Sequence, residues 1–230
     1  MIADKSLLSS REIKLQERLA IFLAFIAGYT DAIGLIKWKT YVSFMSGNTT
    51  QLGASFFSQK SETIITSITV IISFVLGIYL GTCLSLWRKC KVKTIPFYLV
   101  SVIFILYFMI NFYHPISIIS SVAIIGFAMG IMNTIVTMVG NLKMNTDFVT
   151  GTLNSLAKNA AIFTMSKDEN EKNESKANVI HLLLLWIGFV TGAFVSPFLV
   201  SLLDNWNYIL ISILLVTCSW IISKSKIIKN

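Results

Sequence analysis

Apolar residues fill eight stretches of this chain, and polar residues are confined to short breaks between them. The stretches run at about 19–37, 41–58, 63–87, 95–113, 116–139, 145–165, 178–202 and 207–223. Helices of about 20 apolar residues match a hydrocarbon core of about 30 Å, so the pattern predicts membrane helices. Two stretches differ, because 41–58 and 145–165 carry polar residues in their interiors. One contains Phe44-Met45-Ser46-Gly47-Asn48-Thr49-Thr50-Gln51-Leu52-Gly53. The other contains Phe148-Val149-Thr150-Gly151-Thr152-Leu153-Asn154-Ser155-Leu156-Ala157. Both read Phe, any residue, Ser or Thr, Gly, then small polar residues ending in Leu and a small residue. These two are expected to be short broken helices.

The two polar stretches belong to a wider repetition, and repetition constrains architecture. Gly28-Tyr29-Thr30-Asp31 in the first stretch answers Gly130-Ile131-Met132-Asn133 in the fifth. Gly77-Ile78-Tyr79-Leu80-Gly81 in the third answers Gly188-Phe189-Val190-Thr191-Gly192 in the seventh. The offset grows from 102 to 104 to 111 along the chain. Three matches in order predict a duplication of a four-segment unit.

Charge then decides how many segments cross. Cytoplasmic loops carry the excess of Lys and Arg. If all eight segments cross from a cytoplasmic N-terminus, the loops hold 11 basic residues inside and 7 outside, with Arg88–Lys93 outside. If 41–58 and 145–165 enter and leave on one side, the split is 15 inside and 3 outside, namely Lys37, Lys39 and Lys60. Lys158 lies within a polar stretch and is left out of both counts. The second arrangement fits better. Three spans plus one broken segment per repeat gives the halves opposite orientation, as in many transporters. The expected fold is therefore an all-α integral membrane protein. It has six spanning helices plus two broken, re-entrant segments, built as two inverted repeats. Residues 1–18 form a cytoplasmic lead-in, 19–113 the first repeat, and 114–230 the second repeat with a basic C-terminal tail. Both termini are expected in the cytoplasm.

Composition agrees and excludes other classes. Of 230 residues, 55% are hydrophobic and 13% charged, and mean hydropathy is +0.74. Soluble domains carry about 25% charged residues. The net charge of +8 does not indicate nucleic-acid binding, because the basic residues sit at the ends of apolar runs. Cys83, Cys90 and Cys218 are scattered and predict neither a disulfide framework nor a zinc site. No cleavable signal peptide is expected. No nucleophile elbow, paired-carboxylate site, P-loop or metal-binding helix motif is present. The chain is therefore expected not to be an enzyme, and to need no cofactor and no metal. A lipid-directed intramembrane enzyme lacks a recognisable catalytic set.

Gly28-Tyr29-Thr30-Asp31-Ala32-Ile33-Gly34, followed by Val42-Ser43-Phe44-Met45-Ser46-Gly47-Asn48-Thr49-Thr50, resembles the YoaK-like family of bacterial multi-span membrane proteins. Gly130, Asn133 and Thr150-Gly151-Thr152 agree in the second half. The resemblance covers most of the chain and implies a multi-pass protein of the bacterial plasma membrane, with no activity attached. Members often carry Gln before the second-half Asn, where Met132 stands here, a departure that bears on what is bound if that Gln contacts a solute.

The candidate substrate-binding residues are Asp31, Ser46, Gly47, Asn48, Thr49, Asn133, Thr150, Gly151 and Thr152. An ionisable group at membrane depth costs about 2.5–3.5 kcal/mol on insertion scales and usually faces an interior cavity. Asp31 therefore reads either as a proton- or cation-coupling group or as a cap on the neighbouring broken segment. Helices starting near Ser46 and Thr150 would aim unpaired N–H groups inward, which suits an anion. The bland reading of the same residues is close helix contact. The Gly77/Gly81 and Gly188/Gly192 pairs predict close helix packing. Lys158 is expected to snorkel to the cytoplasmic surface, and His114 and His181 to lie at the interface.

Two functions are carried forward. One is a small transporter or channel moving a small solute between the two broken helices. The other is a non-catalytic scaffold or subunit of a larger membrane complex. The expected partners are the lipid bilayer and a small solute, with no nucleic acid, and a homodimer is left open. The charge split generates a direct test. With Cys83 and Cys218 replaced by Ser, Cys90 is expected to react with a membrane-impermeant thiol reagent only after cells are lysed. Reaction in intact cells would place Arg88–Lys93 outside.

Overall fold

The structure is a computed structural model that describes residues 10–87, 94–136, 138–139, 142–143 and 149–224. The Arg88–Lys93 cluster, the first nine residues and the last six lie outside the described residues. Eight α-helices follow one another: α1 Ser10–Trp38, α2 Met45–Phe57, α3 Ser61–Trp87, α4 Ile95–Tyr113, α5 Ile118–Met132, α6 Val149–Met165, α7 Glu169–Leu203 and α8 Asn207–Lys224. A 3-10 turn, Asp204–Trp206, joins α7 to α8. The one strand pairing among the described residues is a two-residue antiparallel ladder, Met138–Val139 with Leu142–Lys143.

Four stretches are long and apolar enough to cross a membrane: Ile13–Trp38, Ser61–Leu86, Ile95–Tyr113 and the 52-residue Glu169–Trp220. Ile118–Met132 is a shorter apolar helix. The outward faces suit lipid. On α3, Ile68, Ile72, Val75, Leu76 and Tyr79 are all exposed, a contiguous apolar surface that a water-soluble monomer rarely shows.

The chain divides into two compact units. Met1–Gly28 with Val136–Gly192 form one, and Tyr29–Ile135 with Ala193–Asn230 form the other. In the first unit α1 and α7 pack closely through glycines. A Cβ on Gly28 would run into the Phe189 carbonyl oxygen, and one on Gly188 would lie 2.8 Å from that of Ile21. α7 and α6 are tied by Asn178 Nδ2, which donates to Asn159 Oδ1 at 3.1 Å. α7 begins earlier than the sequence pattern predicts. Residues 169–176, which fall in the polar break between the sixth and seventh apolar stretches, form its first two turns. Ser166 Oγ accepts from Asp168 N at 3.1 Å, and Asp168 Oδ1 accepts from Asn170 N at 2.9 Å. Glu169 and Glu171 then sit in the first turn, where the helix dipole favours acidic side chains. His181, expected at the interface, is buried.

In the second unit α3 and α5 make the closest approach. A Cβ on Gly130 would strike the Phe74 carbonyl oxygen, and one on Gly77 would strike that of Phe127. Gly81 faces Thr134 and Gly126 faces Val70, so contacts advance along both helices together and the pair is parallel. α5 stops at Met132, short of the expected 139. Thr134 Oγ1 bonds back to Ile131 O at 2.7 Å, an alternative to helix continuation that Thr offers readily. α4 and α8 are joined by Ser101 and Ser212, each hydroxyl facing the other residue's carbonyl oxygen at 3.4 and 3.1 Å.

Helix ends also meet within this unit. Lys37 near the end of α1 bonds Asp204 Oδ1 at 3.1 Å in the α7–α8 turn. Asn111 near the end of α4 bonds Asn205 Oδ1 at 3.2 Å and accepts from Ile116 N before α5. Thr40, just past α1, bonds Thr66 of α3 at 3.3 Å. So α1, α4 and α7 finish where α3, α5 and α8 begin.

Gly130→Ala is expected to lower stability by about 1–3 kcal/mol, the usual cost of overpacking. Gly53→Ala, where a Cβ meets nothing within 4 Å, is expected to be neutral or to gain up to about 1 kcal/mol. Thermal unfolding of the two variants in detergent checks the contrast.

Candidate functional site

The site is built where the chain leaves α1. Lys39 adopts a left-handed conformation, φ 56°, and turns the backbone around. The chain then runs back alongside α1. Thr40 passes Gly34, where a Cβ would lie 2.6 Å from the Thr40 carbonyl oxygen. Glycine is needed there for this close approach. Val42 and Ser43 reach Asp31, two turns inside the helix end. α2 starts immediately afterwards and returns the chain to α3.

Asp31 holds this return. Its Oδ1 accepts from Val42 N at 2.8 Å and Ser43 N at 2.7 Å, and its Oδ2 accepts from the Ser43 hydroxyl at 2.7 Å. The residue is 4% exposed. A buried carboxylate is costly unless hydrogen-bonded, and here donors reach both oxygens. Asn48 grips the same segment from α2. Its Nδ2 donates to Tyr41 O at 2.7 Å and its Oδ1 accepts from Tyr41 N at 3.1 Å. Asn48 is fully buried. An amide carries both donor and acceptor, so Asn can mimic a backbone partner here as Asp could not.

The rest of the polar stretch lines the first turns of α2. The helix begins at Met45 with Phe44 as the capping residue and no side-chain cap. Ser46, expected near the cap, lies inside the first turn. Ser46 and Thr49 are exposed. The Thr49 and Thr50 hydroxyls bond back to Met45 O and Ser46 O at 2.8 and 3.0 Å. A Cβ on Gly47 would enter the Phe44 ring. Gln51 Oε1 is buried and has no hydrogen-bond partner among the described residues, as is Asn133 Oδ1 at the end of α5. Thr150, Gly151 and Thr152 sit in the first turn of α6, in the other compact unit. Thr150 is exposed and Thr152 is buried.

Asp31 and Asn48 thus converge on one backbone segment, residues 41–43. Sequence reasoning flagged both side chains but not the recipients, because backbone N–H groups carry no residue-type signal. It also took Lys37 only as an orientation charge, because its partners Asp204 and Asn205 lie far away in the chain.

The model of the family described as "Protein of unknown function (DUF1275)" matches residues 19–222. The chain belongs to this family. It is also similar to the UPF0700 transmembrane protein YoaK of Bacillus subtilis (strain 168), with 23% identity over 187 residues, 76% of this chain and 81% of that protein. No solved structure matches. The Gly28–Gly34 motif and the Ser46-Gly47-Asn48 stretch that resemble the YoaK-like family are the residues that fold the return onto α1. Family membership and the apolar helices together make this a transmembrane protein.

Two substitutions separate holding from ionisation at Asp31. Asp31→Asn keeps an oxygen for Val42 N and Ser43 N and is expected to unfold close to the parent temperature. Asp31→Ala strands two buried N–H groups and is expected to cost about 2–6 kcal/mol, at about 1–3 kcal/mol per group. Thermal unfolding in detergent distinguishes them.

Proposed function

We propose that the chain is a small secondary transporter or channel that moves a small, anionic solute across a bacterial plasma membrane. The observation that carries this reading is the return of residues 40–43 along α1, from which α2 starts. α2 is 13 residues long, about 20 Å, too short for a hydrocarbon core of about 30 Å. Non-helical backbone at membrane depth is tolerated where it is buried in protein or lines a water-filled cavity. The meeting of helix ends supports six crossings, with α2 entering and leaving on one side. Parallel α3 and α5, and glycine contacts that pair α1 with α7 and α5 with α3, support a duplicated plan with inverted halves. Both termini are then cytoplasmic.

In this reading Asp31 and Asn48 hold the segment that presents the start of α2. Ser46, Gly47 and Thr49 offer first-turn N–H groups and hydroxyls to the solute. Thr150, Gly151 and Thr152 make the equivalent offer at α6. Asn133 brings an amide whose oxygen has no partner among the described residues and which, after a flip, presents donors instead. A second reading, a non-transporting scaffold or subunit, is favoured by one observation: the side-chain hydrogen bonds of Asp31 and Asn48 serve residues 41–45 of the chain itself.

A thermal-shift screen of the purified protein against inorganic anions and small carboxylates, followed by flux in proteoliposomes, tests the proposal. At least one stabilising anion is expected to be transported. Ser46→Val with Thr49→Val is expected to cut its flux about tenfold, equivalent to about 1.4 kcal/mol of lost interaction. Flux indifferent to the double change would remove the assigned contacts. Absence of any stabilising solute, with a fixed partner co-purifying, would favour the scaffold.

A further inference from the structure

The end of the second unit where α1, α4, α7 and α8 meet carries a polar cluster that the proposed solute contacts leave unused. Lys37 Nζ lies 3.1 Å from Asp204 Oδ1 and 3.4 Å from Asn205 Oδ1. It also stands 5.6 Å from the centre of the Tyr208 ring, within cation–π range. Asn205 Oδ1 is shared with Asn111 of α4 at 3.2 Å. Beneath, Tyr208 meets Tyr107 edge-on at 4.7 Å, and Tyr107 bonds Ser121 of α5 at 2.9 Å. Tyr29 of α1 donates to Asn207 Oδ1, and Asn207 Nδ2 to the Asp204 carbonyl.

Two features make this more than helix-end packing. The partners differ in exposure, with the Lys37 side chain at 21% and that of Asp204 at 78%. An ion pair so open to solvent is weak and can part without unfolding its surroundings. Asp204 also sits at φ 42°, a left-handed conformation that costs energy in any residue with a Cβ, though Asp and Asn tolerate it best. The turn between α7 and α8 is therefore held in a conformation that Asp204 does not prefer, and its outer edge is closed by the solvent-exposed ion pair alone. Opening it uncovers Tyr208 and Asn207, which are now buried.

We infer that Lys37 and Asp204 form a latch, closing the α7–α8 turn over the Tyr208–Tyr107 pair at this end of the unit. Its use as a gate rests on the transport reading; its opening does not. Asp204→Asn removes the charge and keeps the left-handed preference, and Lys37→Met keeps the aliphatic stem. The reporter is Ser121→Cys in the full chain with its native cysteines replaced, labelled by a water-soluble maleimide. Either single change is expected to speed labelling about threefold to fivefold, as the open population rises when a weak pair is lost. Lys37→Arg, which keeps a cation for Asp204 and for the Tyr208 ring, is expected to leave the rate near the parent value. Hydrogen exchange of the Tyr208–Ile211 amides gives the same readout without cysteines and is expected to rise in parallel. Unchanged labelling and exchange in Asp204→Asn and Lys37→Met would overturn the latch. So would an equal rise at Ser101→Cys, between α4 and α8, because that would be general loosening. Flux with the transported anion decides the gate role separately: a chain that moves nothing but still opens keeps the latch and loses the gate.

Discussion

The Asp31 carboxylate is the constraint on which the local architecture depends. Three short hydrogen bonds converge on it from two consecutive residues of a segment that has already left the helix. Without them, Val42 and Ser43 would carry bare N–H groups into an apolar setting, each costing about 1–3 kcal/mol. A neutral acceptor would bond the same groups less strongly but would cost less to bury, so the two effects offset each other. The carboxylate thus offsets its own burial by satisfying backbone that has no helix to belong to.

Around that interaction the Gly28–Gly34 motif becomes a set of separate physical requirements. Gly28 allows the backbone of α7 to approach α1, and Tyr29 reaches Asn207. Asp31 receives the returning chain. Gly34 leaves room for Thr40. These side chains lie on different faces of α1, which explains why the motif is dense and does not follow a single helical stripe. The second half repeats part of this logic. Gly130 admits the backbone of α3 as Gly28 admits that of α7. Asn133 follows Gly130 by three residues as Asp31 follows Gly28, but its Oδ1 has no partner among the described residues.

Much of this was legible in the chain. Apolar periodicity and length gave the helices, and the glycine pairs gave the close contacts. An acid inside an apolar run marked a site because burying it needs a reason. What stayed hidden was relational. Residues 41–43 are unremarkable as side chains, and only their position beside Asp31 makes them part of the site. The charged run after Ser166 read as loop because its composition is polar, yet Ser166 and Asp168 supply the caps that start a helix there. Lys37 and Asp204 are 167 residues apart, and no local pattern links them.

The two polar features of the second unit differ in how tightly they are bound, and that difference bears on function. Asp31 and Asn48 are buried and bonded to backbone, so displacing them would expose several groups at once. Lys37 and Asp204 meet at a solvent-facing edge, where screening keeps their attraction small. A protein that must hold one helix start fixed while another junction opens needs this division: strong, buried bonds at the part that stays, and a weak, exposed pair at the part that moves. The presence of both kinds in one unit is the physical argument for a moving part at the α7–α8 turn.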